Sequence, residues 1–258
     1  MPFRIKKTTG AGRFLTKKTT EGNYRFFSTT GAPSPPSPPG PSIAGTILVD
    51  WDFRSPSITV DPYNKVVSLP ASPLSTVSST LLPYAGDPTY SFVYQPTKIN
   101  GQAAGLYNWV YMIPSPVLTE PASDWLIGFV VDISSSGWLL DIDVGRLLIG
   151  NSQTYTDTDG FSPSGSPPTG PQIITAEFRA GSSSLRSYPM GGSPTGPYAV
   201  NSYTQRPLGV YGGNETLGAT YINSGGAGCS YGQVMIIQNP GVSDEAALVS
   251  YMKSSWSI

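Results

Sequence analysis

Apolar positions along this chain fall into short runs or alternations, each closed by Gly, Pro, Asn or Ser, and hardly anywhere into the spacing of a helix. Such runs predict strands over residues 47–53, 58–60, 66–69, 91–94, 105–112, 125–133, 137–144, 146–149, 173–179, 184–188, 208–211, 219–222 and 232–238. Only the last stretch reads as helix. Ser243-Asp244-Glu245 opens it as a cap with acids in the first turn, and Ala246, Leu248, Val249 and Met252 form its apolar side. Many short strands followed by one helix predict an all-β fold, a two-sheet sandwich whose inward-facing residues make a common core.

The N-terminal stretch alternates in the same way but stands apart. Phe3-Arg4-Ile5-Lys6-Lys7, Arg13-Phe14-Leu15-Thr16-Lys17 and Tyr24-Arg25-Phe26-Phe27-Ser28-Thr29 suit a three-stranded meander, and Lys6-Lys7-Thr8-Thr9 recurs as Lys17-Lys18-Thr19-Thr20. Three short strands with no packed layer beneath them are marginal alone, so this arm is expected to order on a partner. The bland alternative is a disordered, solubilising tail. Residues 32–41, Ala-Pro-Ser-Pro-Pro-Ser-Pro-Pro-Gly-Pro, form a polyproline II spacer, which at about 3.1 Å per residue reaches roughly 30 Å. Its Pro-x-x-Pro spacing also suits an SH3-type ligand, but nothing else suggests signalling. The expected organisation is an arm at 1–31, a linker at 32–42 and a sandwich at 43–258.

Charge sharpens that division. The arm holds Arg4, Lys6, Lys7, Arg13, Lys17, Lys18 and Arg25 against the single acid Glu21, a net of +6, whereas the rest of the chain nets −7 within an overall −1. Those seven basic residues are the candidate anchoring set, and an acidic protein surface is the expected partner. Nucleic acid is the competing reading of a basic segment with aromatics, disfavoured by the Thr-rich alternation. Beyond the arm, 29 Gly, 26 Pro and a charged fraction of 12% indicate a turn-rich β protein, while 5 Trp, 15 Tyr and 9 Phe supply material for a core.

Several chemistries are excluded outright. The chain has no histidine and one cysteine, Cys229, so it can form neither an internal disulfide nor a His/Cys zinc site, and it lacks the usual general base near neutral pH. Any catalysis rests on carboxylates. No apolar h-region opens the sequence, and no apolar run approaches the roughly 18 residues of a membrane span, so synthesis in a cytoplasm without Sec export is expected.

The remaining candidates each have a plain structural reading. Asp141-Ile142-Asp143 places two carboxylates on one face of a strand, most simply its polar outer face. Asp157 and Asp159, within Tyr155-Thr156-Asp157-Thr158-Asp159-Gly160, offer too few oxygens for Ca²⁺ and suit an Asx-turn. No metal or cofactor is expected. Gly212-Gly213-Asn214 and Gly225-Gly226-Ala227-Gly228 read as loops rather than phosphate cradles, since neither opens a helix after a strand. Trp51, Trp109, Trp125 and Trp138 sit in strand-like runs and read as core rather than sugar platforms. Trp256 is expected to pack the closing helix, and Cys229, without a base, to be a small buried or loop residue.

Residues 232–258 read Gly-Gln-Val-Met-Ile-Ile-Gln-Asn-Pro-Gly-Val-Ser-Asp-Glu-Ala-Ala-Leu-Val-Ser-Tyr-Met-Lys-Ser-Ser-Trp-Ser-Ile. This ending resembles the last strand and closing helix of concanavalin A-like and laminin-G-like jelly rolls, lectins and glucanases among them. Val242 takes a position usually held by Leu, and Ser243-Asp244-Glu245, Tyr251-Met252 and Trp256 follow the pattern. Further upstream, 125–133 suits the long strand of the concave sheet, 173–178 the strand after it, and 206–213 the strand before a final loop. The resemblance implies a two-sheet jelly-roll sandwich over 43–258. Such domains recur on bacteriophage particles as tail, fibre and head-decoration proteins behind an anchoring N-terminal segment.

Glucanases of this fold carry a Glu-x-Asp-x-x-Glu pattern, because retaining hydrolysis needs two carboxyl groups about 5–5.5 Å apart. The globular part holds Glu120, Glu177, Glu215 and Glu245, none at that spacing. The sequence therefore leads to the expectation of a non-enzymatic structural protein of a phage virion, tethered to capsid or tail by its arm. The alternative is a glycan-binding adhesin module, and a glycan-degrading enzyme ranks last. A homo-oligomer on the virion, assembled in the host cytoplasm and bound to other virion proteins and in the alternative to glycans, completes this expectation.

Overall fold

The structure is a computed structural model, and it describes residues 14–18, 24–28, 40–83, 86, 91–106, 111–116, 118, 124–134, 138–142, 147–150, 154–156, 160–161, 169–179, 182–200, 222–223 and 229–258. The chain divides into two units, 1–39 and 40–258. In the first, β1 (Phe14–Lys18) and β2 (Tyr24–Ser28) pair antiparallel with Thr16 opposite Phe26. The third strand expected at 3–7 lies outside the described residues.

The second unit is built mainly of strands. In chain order they are β3 (Thr46–Asp52), β4 (Thr59–Val60), β5 (Val66–Pro70), β6 (Thr80–Pro83), β7 (Val93–Ile99), β8 (Gln102–Leu106), β9 (Tyr111–Ser115) and β10 (Trp125–Ile133). There follow β11 (Trp138–Ile142), β12 (Leu147–Gly150), β13 (Thr154–Thr156), β14 (Gly160–Phe161), β15 (Gly170–Arg179), β16 (Ser182–Pro189), β17 (Thr195–Val200), β18 (Ile222–Asn223) and β19 (Cys229–Gln238), then the helix α1 (Asp244–Trp256). The larger sheet runs β17-β16-β15-β10-β19-β8-β7, with β3 also on β19; a smaller one runs β18-β9-β6-β5-β4, and β11 to β14 form a four-stranded meander.

β10 lies at the centre, with Phe129 opposite Ile174 of β15 on one side and Val234 of β19 on the other. Its near-continuous apolar sequence follows from burial on both faces. Trp125, Ile127, Phe129, Val131 and Ile133 join Val66, Leu69, Leu81 and Met112 of the smaller sheet in the core of the sandwich. Leu126 and Val130 point the other way, into a second core with Met235, Ile237, Leu248, Met252 and Trp256 beneath α1. The expected all-β sandwich with a C-terminal helix is thus the observed architecture.

Two close approaches seat the helix. A Cβ on Gly128 would come within 2.7 Å of Leu248 Cδ2, and one on Gly232 within 2.6 Å of the Trp256 ring. The start of α1 differs from expectation: Ser243 makes no side-chain cap and Ala246 is exposed. Ser243 is still the N-cap residue, its carbonyl accepting from Ala247 N (3.0 Å), and Asp244 ties the helix start to the rest of the chain. Its carboxylate accepts hydrogen bonds from the backbone N–H of Gly241 (2.8 Å), Ala44 (2.9 Å) and Gly45 (2.8 Å), fastening the chain before β3 to the helix.

The expected strand at 105–112 divides between β8 and β9, which belong to different sheets. β7 and β8 meet through Asn100-Gly101, both at positive φ, as a two-residue hairpin turn needs. β17 was not expected because Thr195-Gly196-Pro197 reads as a breaker; as an edge strand it tolerates the proline. The run expected at 208–211 lies outside the described residues.

Candidate functional site

α1 clamps two polar clusters against the outer face of the larger sheet. The first lies under its last turns. Asp50 and Asp52 share that face of β3, and Asp50 is only 1% exposed. Gln233 Nε2 donates to Asp50 Oδ1 (2.8 Å) and Ser72 Oγ to Oδ2 (2.6 Å), while Gln233 Oε1 accepts from Trp256 Nε1 (2.9 Å). Arg54 is committed elsewhere: it pairs with Asp52 (2.6 Å), donates to Ser255 O (2.6 Å) and Gln102 Oε1 (2.8 Å), and lies 4.2 Å from the centre of the Trp256 ring.

Burial pushes the Asp50 carboxyl up to about 6, aided by Asp52 and opposed by the hydrogen bonds from Ser72 and Gln233 and by Arg54. Burial also raises Tyr251 on the facing side of α1, with Asp50 adding to the rise. A carboxyl near 6 has the value of a general acid, yet this one is sealed beneath Trp256 and beyond a substrate's reach.

The second cluster lies under the first turns of α1. Glu245 accepts from Thr175 Oγ1 (2.6 Å) and Tyr188 OH (3.1 Å) and pairs with Arg186. Glu177, on the same face of β15 as Thr175, pairs with Arg179 (2.6 Å), which also lies 3.6 Å from Asp124. Lys253 stands over the Tyr188 ring at 5.6 Å. Burial raises the Tyr188 phenol, so it stays a hydrogen-bond donor rather than an anion. Side chains here are 14% to 30% exposed for the Glu245–Arg186 pair, which makes this the more open cluster.

Every carboxylate whose side chain is described is held by a partner. Besides those above, Asp61 accepts from the N–H of Tyr63 and Lys65, and Asp132 pairs with Lys98 (2.8 Å). Among the described residues no group of three His, Cys, Asp or Glu could hold a metal, and no helix is long and apolar enough to cross a membrane.

The expected residues divide as follows. Trp51, Trp125 and Trp256 are fully buried, as the core reading requires; Trp109 and the side chain of Trp138 lie outside the described residues. Cys229 is buried at the start of β19, and burial pushes its thiol up to about 12, far from a nucleophile's value. Asp141 lies on β11, but its side chain, with Asp143, Asp157, Asp159, Glu120, Glu215 and the loops at 212–214 and 225–228, lies outside the described residues. Of the basic set, Lys17, Lys18 and Arg25 fall on β1 and β2, with Lys17 in register with Arg25. Arg4, Lys6, Lys7 and Arg13 lie outside. The buried network around Asp50 was missed, because a strand reading assigns alternate polar residues to solvent and cannot see the helix that covers them.

No protein-family model matches the chain, and no curated protein sequence does. Among solved structures it is similar to a GH54 α-L-arabinofuranosidase soaked with a cyclic sulfate inhibitor, with a TM-score of 0.51 and 12% identity over 82% of this chain and 60% of that one. It is also similar to an arabinofuranosidase complexed with arabinofuranosyl-α-1,2-xylobiose, with a TM-score of 0.50 and 13% identity over the same shares. The chain thus spans about 60% of the length of these enzymes. At such identity the likeness is one of fold: a β-sandwich of the kind found in glycoside hydrolases. It corrects the expectation of a non-enzymatic virion structural protein, since both of these structures are of glycoside hydrolases and neither is of a virion protein.

Proposed function

We propose that the sandwich processes carbohydrate by hydrolysing a glycosidic bond, and that arabinose-bearing polysaccharide is the first substrate class to test. The observation that supports this is the likeness to arabinofuranosidases, which extends over 82% of the chain. We further read the two sheets as a jelly roll, the arrangement that the ending at 232–258 resembles.

The chemistry follows from what the chain contains. With no imidazole, the acid and the base or nucleophile we assign are both carboxyl groups, one kept protonated and one ionised. Asp52, Glu177 and Glu245 of the two clusters are ion-paired, and Asp50 is closed off. The residues to vary are therefore Asp87, Glu120, Asp141, Asp143, Asp157, Asp159 and Glu215. The experiment measures release of nitrophenol from a panel of aryl glycosides, α-L-arabinofuranoside included, by the parent and by each single Asp→Asn or Glu→Gln variant. Turnover that two of these changes each reduce by at least about 100-fold supports the proposal. Turnover unaffected by all seven, or no turnover on any glycoside, contradicts it.

A further inference from the structure

The arrangement of Asp50 leads beyond the hydrolytic reading and is independent of it. We propose that Asp50 is a proton-operated latch, which holds the last turns of α1 and the segment at 72–77 against β3 when neutral and loosens them when charged.

The geometry gives this carboxyl control over two separate pieces of chain. Through Gln233 it reaches Trp256 Nε1, and Trp256 is fully buried at the end of α1. Through Ser72 it holds the segment that covers the free edge of β3, where Ser72 N donates to Asp50 O (2.7 Å), Thr76 N to Ile47 O (2.9 Å) and Val77 N to Leu48 O (2.9 Å). Ser75 Oγ also accepts from Asp50 N (2.8 Å).

The charged groups facing Asp50 offset a negative charge only in part. Asp52 on β3 repels it, and Arg54 attracts it but makes its ion pair with Asp52 and its hydrogen bonds with Gln102 and Ser255. α1 brings Tyr251 to face it, a phenol whose own value Asp50 helps raise. The covering segment brings Ser72 and Ser75, and β19 brings Gln233, all uncharged. An ionised Asp50 is thus a buried anion with no direct ion pair among the described residues, a state that favours any opening that admits water.

The sign follows from linkage. In an opened state the carboxyl regains its ordinary value of 3.8, whereas the closed state holds it at about 6. The closed state therefore binds more protons between those values, and opening becomes easier as pH rises from about 4 to 6, then levels off.

Hydrogen exchange followed by mass spectrometry on the full chain tests this at pH 4 and pH 7, with rates corrected for intrinsic exchange. Protection of peptides covering 70–79 and 248–258 is expected to fall by up to about a hundredfold from pH 4 to pH 7 in the parent. In Asp50→Asn, whose amide can donate to Ser72 and accept from Gln233, it should stay level. Ser72→Ala provides a second arm: it removes a donor that favours the charged form, so the fall should begin at the same pH and end at a higher one. Equal protection at both pH values in the parent, the same fall in Asp50→Asn, or an unchanged end point in Ser72→Ala would each overturn the latch.

Discussion

Asp50 and Asp244 are both removed from solvent, and their surroundings drive their carboxyl groups in opposite directions. Burial dominates at Asp50 and raises it to about 6. At Asp244 burial also raises, but the backbone N–H groups of Ala44, Gly45 and Gly241 together with Arg179 outweigh it and hold the carboxyl below its ordinary value. For Asp50 the stabilisation is complete below about 4 and lost as pH rises to about 6; the shift of roughly two units corresponds to about 3 kcal/mol. Chemical denaturation should therefore find Asp50→Asn more stable than the parent at pH 7 by up to that amount, and no more stable at pH 4. For Asp244 the stabilisation is present above 3.8 and lost as pH falls. Asp244→Ala strands three backbone donors, so it should cost about 1–3 kcal/mol at pH 7 and less at pH 3. A variant as stable as the parent at pH 7 would contradict this role for Asp244.

At the scale of elements, the seat of α1 depends on two positions without side chains. Gly232→Val should cost about 1–3 kcal/mol, because its Cβ would strike the Trp256 ring, which is fully buried. The same change in a Trp256→Ala background should cost less, and equal costs in the two backgrounds would show that the contact is not the cause. Strands were legible where both faces are apolar, as at β10, whose limits at Trp125 and Ile133 coincide with the expected run. They were not legible where turn chemistry interrupts the pattern, as at β17 with its Gly196-Pro197, or where a run such as 105–112 passes from one sheet to another. The helix was legible from Leu248, Val249 and Met252, and its N-cap falls at Ser243 as expected; what the sequence could not show is that Asp244 reaches backbone donors nearly two hundred positions away. The buried cluster at Asp50 had no signal of its own, since Asp50 and Asp52 look like any polar alternation until α1 covers them.

The whole molecule divides at residue 40, and the charge divides with it, +6 on the arm against −7 beyond. Residues 40–258 contain both cores, so a chain beginning at Gly40 is expected to give the circular dichroism of a β protein with little helix and a cooperative thermal transition. A coil-like spectrum would mean that the first unit is needed for folding. Fold alone does not fix an activity, and here the sequence pointed away from one: the missing Glu-x-Asp-x-x-Glu pattern argued against an enzyme, yet a catalytic pair is defined by distance in space rather than spacing in sequence. The likeness to arabinofuranosidases is one of fold and names no catalytic residues.

The most direct measurement is product analysis after incubating the full chain with an arabinose-substituted xylan. Time-dependent appearance of free arabinose or of shortened soluble oligosaccharides, proportional to protein concentration, is the result expected of a carbohydrate-processing sandwich. An unchanged polysaccharide, together with no release from a broader set of plant and bacterial glycans, would contradict it.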